Sequence, residues 1–149
     1  MHKSFLVTTD GSELAQRGVE HDIRLAKEAG AKVTIIIVTE RFPTHGPVSG
    51  LGVAVDAGDL ATWKTARDEY ATGVLTKARA LADEIGVPAE VVHVSGAAPA
   101  ESIVETAAAR GCDLIVMASH GRRGIGRLLL GSQSSEVLAL SKVPVLIVR

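Results

Sequence analysis

The stretch Ala118 to Ser132, ASHGRRGIGRLLLGS, crowds four glycines and three arginines between apolar runs. It ends in Gly131-Ser132, where a helical pattern begins. Free amides at a helix N-terminus and the positive end of its dipole bind anions, and glycine lets a phosphate approach the backbone. Ser132, Gln133, Ser134 and Ser135 add hydroxyl and amide donors on the first turn. Gly121 and Gly124 can supply unusual backbone angles upstream, and Arg122, Arg123 and Arg127 can add charge. The chemistry on offer is phosphate binding. The plain alternative is a flexible turn with a solvated basic edge.

Two familiar phosphate motifs are absent. The chain contains no GxxxxGK[ST]. Gly124-Ile125-Gly126 would need a glycine at 129 to complete GxGxxG, and that residue is Leu129. Glycine spacing alone does not decide between a phosphate loop and a turn. His120 has no Asp or Cys close by in sequence to make it catalytic, and Cys112 reads as a small buried residue. Asp10, before Gly11-Ser12, can form an Asx-turn or help cap the helix that follows. Trp63 and Tyr70 read as packing residues at a helical interval, and His93 as structural.

These residues need elements to carry them, and strand-like and helical patterns alternate along the chain. SFLVTT (4–9) stops at Asp10-Gly11, and Ser12 then caps a helix reaching Ala29 with Gly30 behind it. Its inward stripe is Ala15, Gly18, Val19, Leu25, Ala26 and Ala29, with Asp22 an unexplained polar member. KVTIIIVTE (32–40) has the β-branched content of a strand buried on both faces. Residues 41–58 read as a long loop. Asp59 caps a long helix to about Ile85, AEVVHVS (89–95) is a third strand, and Pro99 opens a helix to Arg110. DLIVMAS (113–119), a short helix from Ser132 to about Leu140, and VPVLIVR (143–149) complete the order.

Repeated strand–helix–strand units require right-handed crossovers and a parallel sheet. The expected fold is α/β: a single doubly wound, Rossmann-like parallel five-stranded sheet with helices on both faces, in one domain of residues 1–149. Ligands of such sheets bind beyond the carboxyl ends of the strands, where strand order reverses. That rule selects Thr8-Thr9-Asp10, Val38-Thr39 and the residues from Ala118 onward. Composition agrees with an aliphatic core, at 46% hydrophobic and 3% aromatic residues. A net charge of −1 gives no reason to expect nucleic acid or acidic membranes as partners. One cysteine fits a reducing, cytoplasmic setting, and no run approaches the ~20 apolar residues of a membrane span.

The whole chain resembles the universal stress protein family. The likeness lies in VTTDGSE, VTIIIV, GAAPAESIVETAAARGCDLIVMASHGRRG and LLLGSQSSEVL…VPVLIVR, which together cover most of the chain outside 41–88. Nucleotide-binding members carry G-x2-G-x9-G-[ST]. Here the motif falls on Ala118, Gly121, Gly131 and Ser132, with alanine at the first glycine position. An alanine costs little there if its backbone packs on a ribose, and about 1 kcal/mol or more if the position needs positive φ. The resemblance implies that Thr8, Thr9 and Asp10 border adenine and ribose, and that the Val38 backbone reads the adenine edge. It implies a phosphate cradle of Gly121, Gly131, Ser132 and the amides of Gln133 and Ser134. Met117 and Arg122, adjoining the motif positions, complete the candidate set.

The implied function is an adenine-nucleotide-binding regulatory module of the stress response. ATP is the first choice, AMP and cyclic AMP are alternatives, and ATP can bring Mg2+ with it. Family members typically dimerise through the last strand, so a homodimer through residues 143–149 is expected, with an unknown protein partner as its target. Two other readings stay open: a slow ATP-hydrolysing enzyme, and a structural homodimer that has lost nucleotide binding. No enzymatic signature such as a HIGH-like motif or a metal cluster is visible, so the sequence names no catalytic residue.

Overall fold

A computed structural model of the chain describes residues 1–40, 57–95, 98–119 and 130–149. The elements run β1 (Ser4–Thr8), α1 (Glu13–Ala29), β2 (Lys32–Thr39), α2 (Ala57–Ile85), β3 (Ala89–Ser95), α3 (Pro99–Ala109), β4 (Leu114–Ala118), α4 (Ser132–Leu140) and β5 (Val145–Val148). The strands form one sheet in the order β3-β2-β1-β4-β5, with every neighbouring pair parallel. This is the expected doubly wound α/β architecture.

Alternation along the central strands divides the core into two layers. Phe5, Val7, Val33, Ile35, Ile37 and Val116 pack with residues of α1 and α2. Leu6, Ile36, Ile115 and Met117 point the other way, against Ile103 of α3 and Val137 of α4. The β-branched run of β2 is therefore buried on both faces, as its composition requires.

Local signals set most of the boundaries. Ser12 sits in extended backbone and its Oγ accepts the Ala15 amide at 3.1 Å, while Gly30 ends α1 at φ 63°. The left-handed turn at Gly30 lets its amide reach the carbonyls of Ala26 and Lys27. Pro99 stands in the first turn of α3, where its missing N–H is harmless. Helix α2 starts at Ala57, which places Asp59 inside the first turn rather than at the cap. There it acts on the helix dipole. β5 starts only at Val145, because Pro144 has no amide to give the ladder and contributes a carbonyl to Ile115 instead.

The buried stripe of α1 is Ala15, Val19, Asp22, Ile23 and Ala26. Ile23 was missing from the sequence-derived stripe, and Asp22 does point inward. Its residue surface is 3% exposed, and its carboxylate meets His21 Nδ1 at 3.3 Å. Burial pushes the Asp22 carboxyl up to about 6, and the neighbouring His21 only partly offsets this. For an acid whose folded value is raised, the folded state is penalised once the carboxyl ionises. The penalty is full above about pH 6 and vanishes toward the unfolded value of 3.8. Its size at neutral pH is on the order of 2–3 kcal/mol. Asp22→Asn should therefore raise Tm at pH 7.5 by several degrees, and the two Tm values should converge as pH falls from 6 toward 4. Thermal melts across that range check it; an equal gap at all pH values would refute the burial argument.

Candidate functional site

The strand order reverses at β1, whose neighbours are β2 on one side and β4 on the other. The carboxyl ends of β1 and β4 therefore lie side by side, with α1 leaving toward one face of the sheet and α4 packed on the other. A crevice at that place is where ligands of open parallel sheets bind.

On the β1 side a chain of short hydrogen bonds fixes the turn. The Thr9 amide donates to the Ile36 carbonyl at 3.0 Å, and Thr9 Oγ1 accepts the Gly11 amide at 3.2 Å. Asp10 Oδ1 accepts the Ser12 amide at 2.9 Å, so the Asx-turn is present. That bond uses one carboxylate oxygen, and among the described residues no side chain or amide is bonded to the other. The Tyr70 hydroxyl, from α2, donates to the Asp10 carbonyl at 2.8 Å and pins the turn from beneath. Thr8 and Asp10 are half-buried and Thr9 is buried.

The position of Val38 follows from register. β1 pairs with β2 only as far as Thr8 opposite Ile36, whereas β2 continues to Thr39 along β3. Ile36 turns its carbonyl toward β1, and two residues on Val38 turns its peptide groups to the same side. They project past the end of β1, at the carboxyl edge of the sheet. The adjacent Thr39 Oγ1 is held 2.8 Å from His93 Nε2 of β3.

On the β4 side, Ala118 pairs with Val148 and the ladder continues through the Ser119 amide, which donates to the Val148 carbonyl at 2.9 Å. The Ser119 carbonyl accepts the Gly131 amide at 3.3 Å, and Ser134 Oγ donates to the Ala118 carbonyl at 3.3 Å. These bonds seat the start of α4 directly against the end of β4. Gly131 is the N-cap residue, and among the described residues no side chain caps the helix. Among the described residues, its first amides have no side-chain acceptor.

Ala118 lies in ordinary strand backbone, and no non-glycine residue among those described has positive φ. Alanine at the first motif position carries no backbone strain. Gly131, at φ −58° and ψ 155°, adopts a conformation open to any residue, and a Cβ there would meet the Ser119 carbonyl at an ordinary 3.5 Å. Among the described residues, nothing in the packing demands glycine at 131.

The structure brings Thr8, Thr9, Asp10, Val38, Ala118, Gly131, Ser132, Gln133 and Ser134 to the carboxyl edge of the sheet. The Met117 side chain is in the core against α3 and α4, so it offers the edge only backbone. The hydroxyl of Ser134 is occupied by Ala118, while Ser132 and Gln133 are exposed. Gly121 and Arg122, with Gly124, Arg123, Arg127 and the loop 41–56, lie outside the described residues. Among the described residues no three His, Cys, Asp or Glu side chains gather to hold a metal.

Sequence reasoning missed two neighbours of this edge. Tyr70, read as packing, is a hydrogen-bond donor to the Asp10 turn. Ser119 is buried, and among the described residues its hydroxyl has no hydrogen-bond partner. The signal for Ser119 was present, a hydroxyl between two motif positions at a strand end. Tyr70 lies 60 residues from Asp10 and gave no local signal. An open cavity of about 410 Å³ lies at the opposite edge of the sheet, lined by Lys3, Lys27 and Lys32 among others. Lys27 Nζ there donates to the Ile85 carbonyl at 2.7 Å, so it serves the end of α2.

Comparison with known proteins bears on this edge. A sequence model of the universal stress protein family matches residues 1–149. Universal stress protein YxiE of Bacillus subtilis is 34% identical over 150 residues, covering all of both chains. The solved structure of MJ0577, a universal stress protein of Methanocaldococcus jannaschii, superimposes with a TM-score of 0.78 at 28% identity, over 99% of this chain and 96% of that one. A universal stress protein solved in complex with cAMP superimposes with a TM-score of 0.66 at 28% identity, over 99% and 97% of the two chains. None of the described helices is long and apolar enough to cross a membrane.

Proposed function

The chain belongs to the universal stress protein family, and from that premise we propose that it is an adenine-nucleotide-binding regulatory module. ATP is its ligand and the cytoplasm its setting, where Cys112 stays reduced and buried. The carrying observation is the junction of β4 with α4: hydrogen bonds from Gly131 and Ser134 seat an uncapped helix N-terminus at the sheet's switch point. The similar protein in complex with cAMP supports an adenine nucleotide as the occupant.

In this reading the base lies over the ends of β1 and β2. The free peptide groups of Val38 read its edge, and Asp10 accepts from the ribose hydroxyls through its unused oxygen. The phosphates face Gly131 and the amides of Ser132, Gln133 and Ser134, with Gly121 and Arg122 completing the cradle. Mg2+, where ATP brings it, is carried by the phosphates and water, which suits its preference for retaining a hydration shell. The residues bind and orient; none is assigned a bond-breaking role.

The dimer would form along β5, an edge strand of the sheet. Leu146 on that strand is 37% exposed, with Leu138 and Leu140 of α4 exposed nearby in sequence. Pairing with a second copy would cover a short apolar edge that otherwise invites aggregation. Nucleotide state would then bias the contacts this dimer makes with a protein partner.

Calorimetry of the purified chain with ATP, AMP and cyclic AMP, beside extraction of any co-purified nucleotide, tests the reading. Saturable one-site binding of ATP is expected, and sedimentation should give twice the 15.5 kDa chain mass. A chain that binds none of the three nucleotides would overturn it.

A further inference from the structure

The amino edge of the sheet, at the other end of the strands from the candidate nucleotide site, carries the cavity of about 410 Å³. It is lined by Lys3, Lys27 and Lys32 and by the turns at Gly30-Ala31 and Gly86-Val87-Pro88. Its volume lies in the range of small-ligand pockets, roughly 300–1,000 Å³. The topology gathers these residues from separate parts of the chain. The Lys32 amide donates to the Lys3 carbonyl at 3.0 Å, which sets the starts of β1 and β2 side by side. The Val33 amide donates to the Pro88 carbonyl at 2.9 Å and brings in the turn after α2.

The donors of the lining determine what it can hold. Its backbone amides are already engaged. That of Lys3 donates to the Asp113 carboxylate and that of Lys32 to Lys3. Those of Gly30, Ala31, Gly86 and Val87 donate to carbonyls in the last turns of α1 and α2. What remains for a ligand is ammonium groups on flexible stems. Lys27 Nζ lies 2.7 Å from the Ile85 carbonyl, and that bond uses one of its three protons. Lys3 and Lys32 are exposed, and among the described residues none of the three lysines is in an ion pair. Asp113 is not part of the lining; its carboxylate is held by the Lys3 and Ser4 amides, with His2 3.7 Å away. Two helix C-termini end at this edge, each equivalent to about half a negative charge. Three ammoniums outweigh them by about two charges.

We propose that this cavity is a ligand site separate from the carboxyl edge, and that it binds a small polyvalent anion of the phosphate class through Lys3, Lys27 and Lys32. A single carboxylate would leave most of the positive charge unmatched, whereas an oligophosphate sets several charges within reach of three lysines. The site shares no residue with the nucleotide-binding reading and does not rest on it. Its affinity comes from exposed charges, so salt weakens it.

Titration of isotope-labelled Ser132→Glu protein with inorganic triphosphate, followed through the amide NMR shifts, tests this. The added carboxylate keeps phosphates away from α4, so the amino edge is read alone. Saturable shifts are expected at Gly30, Ala31, Gly86 and Val87. Adding Lys3→Gln and Lys32→Gln together should weaken the affinity roughly three- to thirtyfold, as for the loss of two exposed charge contacts. Raising the salt to about 0.5 M should weaken it as well. Absence of saturable shifts at these four amides would overturn the proposal. So would shifts confined to the start of α4, or an affinity that the lysine changes leave intact. The shift map needs no lysine variant, so it decides even where the altered chain folds poorly. ATP binding by the wild-type chain is measured separately, and its failure would remove the nucleotide reading while leaving this site standing.

Discussion

Ser132→Glu should weaken ATP binding by roughly ten- to a thousandfold while leaving the fold at least as stable. The side chain is exposed at the first residue of α4, so the substitution displaces no core group. In the folded protein a glutamate there meets the positive end of the helix dipole and gains about 0.3–1 kcal/mol. In the complex the same carboxylate stands against the phosphates. Two unit charges about 4 Å apart repel by about 1 kcal/mol in bulk water and about 4 kcal/mol at an effective dielectric constant of about 20. The site, at the mouth of a crevice, lies between those limits. Stability and affinity thus move in opposite directions, which a merely damaging substitution cannot mimic. Calorimetry with ATP and adenosine, paired with thermal melts, reads both. Adenosine affinity should hold. A Ser132→Glu protein that binds ATP like wild type would take the phosphates away from α4.

The comparison of sequence with structure divides along a physical line. Features written in neighbouring residues were legible: the two-faced burial of β2 from its β-branched run, the Ser12 and Gly30 ends of α1, and the Gly131-Ser132 junction at the start of α4. The point where the strand order reverses was legible too, because alternation of strand and helix leaves few topologies and each places the strand ends together. What could not be read depends on contacts distant in sequence. Asp22 lies on the apolar stripe of α1, but only packing shows that its carboxyl is buried with little beyond His21 to offset the cost. Ser134 looked like a free donor, and the closeness of α4 to β4 commits its hydroxyl to Ala118. Ala118 itself shows the converse. Its departure from the glycine pattern raised the question of backbone strain, and the answer required only that the residue be inside β4.

Gly11 carries the other large expected effect. Gly11→Ala should destabilise the protein by roughly 2–5 kcal/mol, from backbone strain and overpacking together. Gly11 stands at φ 79°, in the left-handed region where a side chain costs about 1–2 kcal/mol. A Cβ added there would lie 2.6 Å from Val74 Cγ2 and closer still to the Tyr70 hydroxyl. Neither neighbour yields freely. Val74 is a core residue of α2, and Tyr70 holds the Asp10 carbonyl. For a chain of this size the loss corresponds to a Tm lower by roughly 5–15 °C. Tyr70→Phe in the same chain separates the two causes. Removing the hydroxyl relieves one clash but keeps the strain, the Val74 contact and the 2.8 Å approach to the ring carbon Cζ, so the double variant should recover only part of the loss. The Tyr70→Phe single variant should itself lose about 1 kcal/mol with the bond to Asp10. A double-mutant cycle then yields the coupling between α2 and the Asp10 turn. A Gly11→Ala protein melting within a degree of wild type would show that the turn has room the structure denies it. Where the loss does appear, ATP affinity should fall with stability, because Gly11 and Tyr70 hold Asp10 where the nucleotide would meet it. That joint fall is the counterpart of Ser132→Glu, which removes the ligand's place without disturbing the turn.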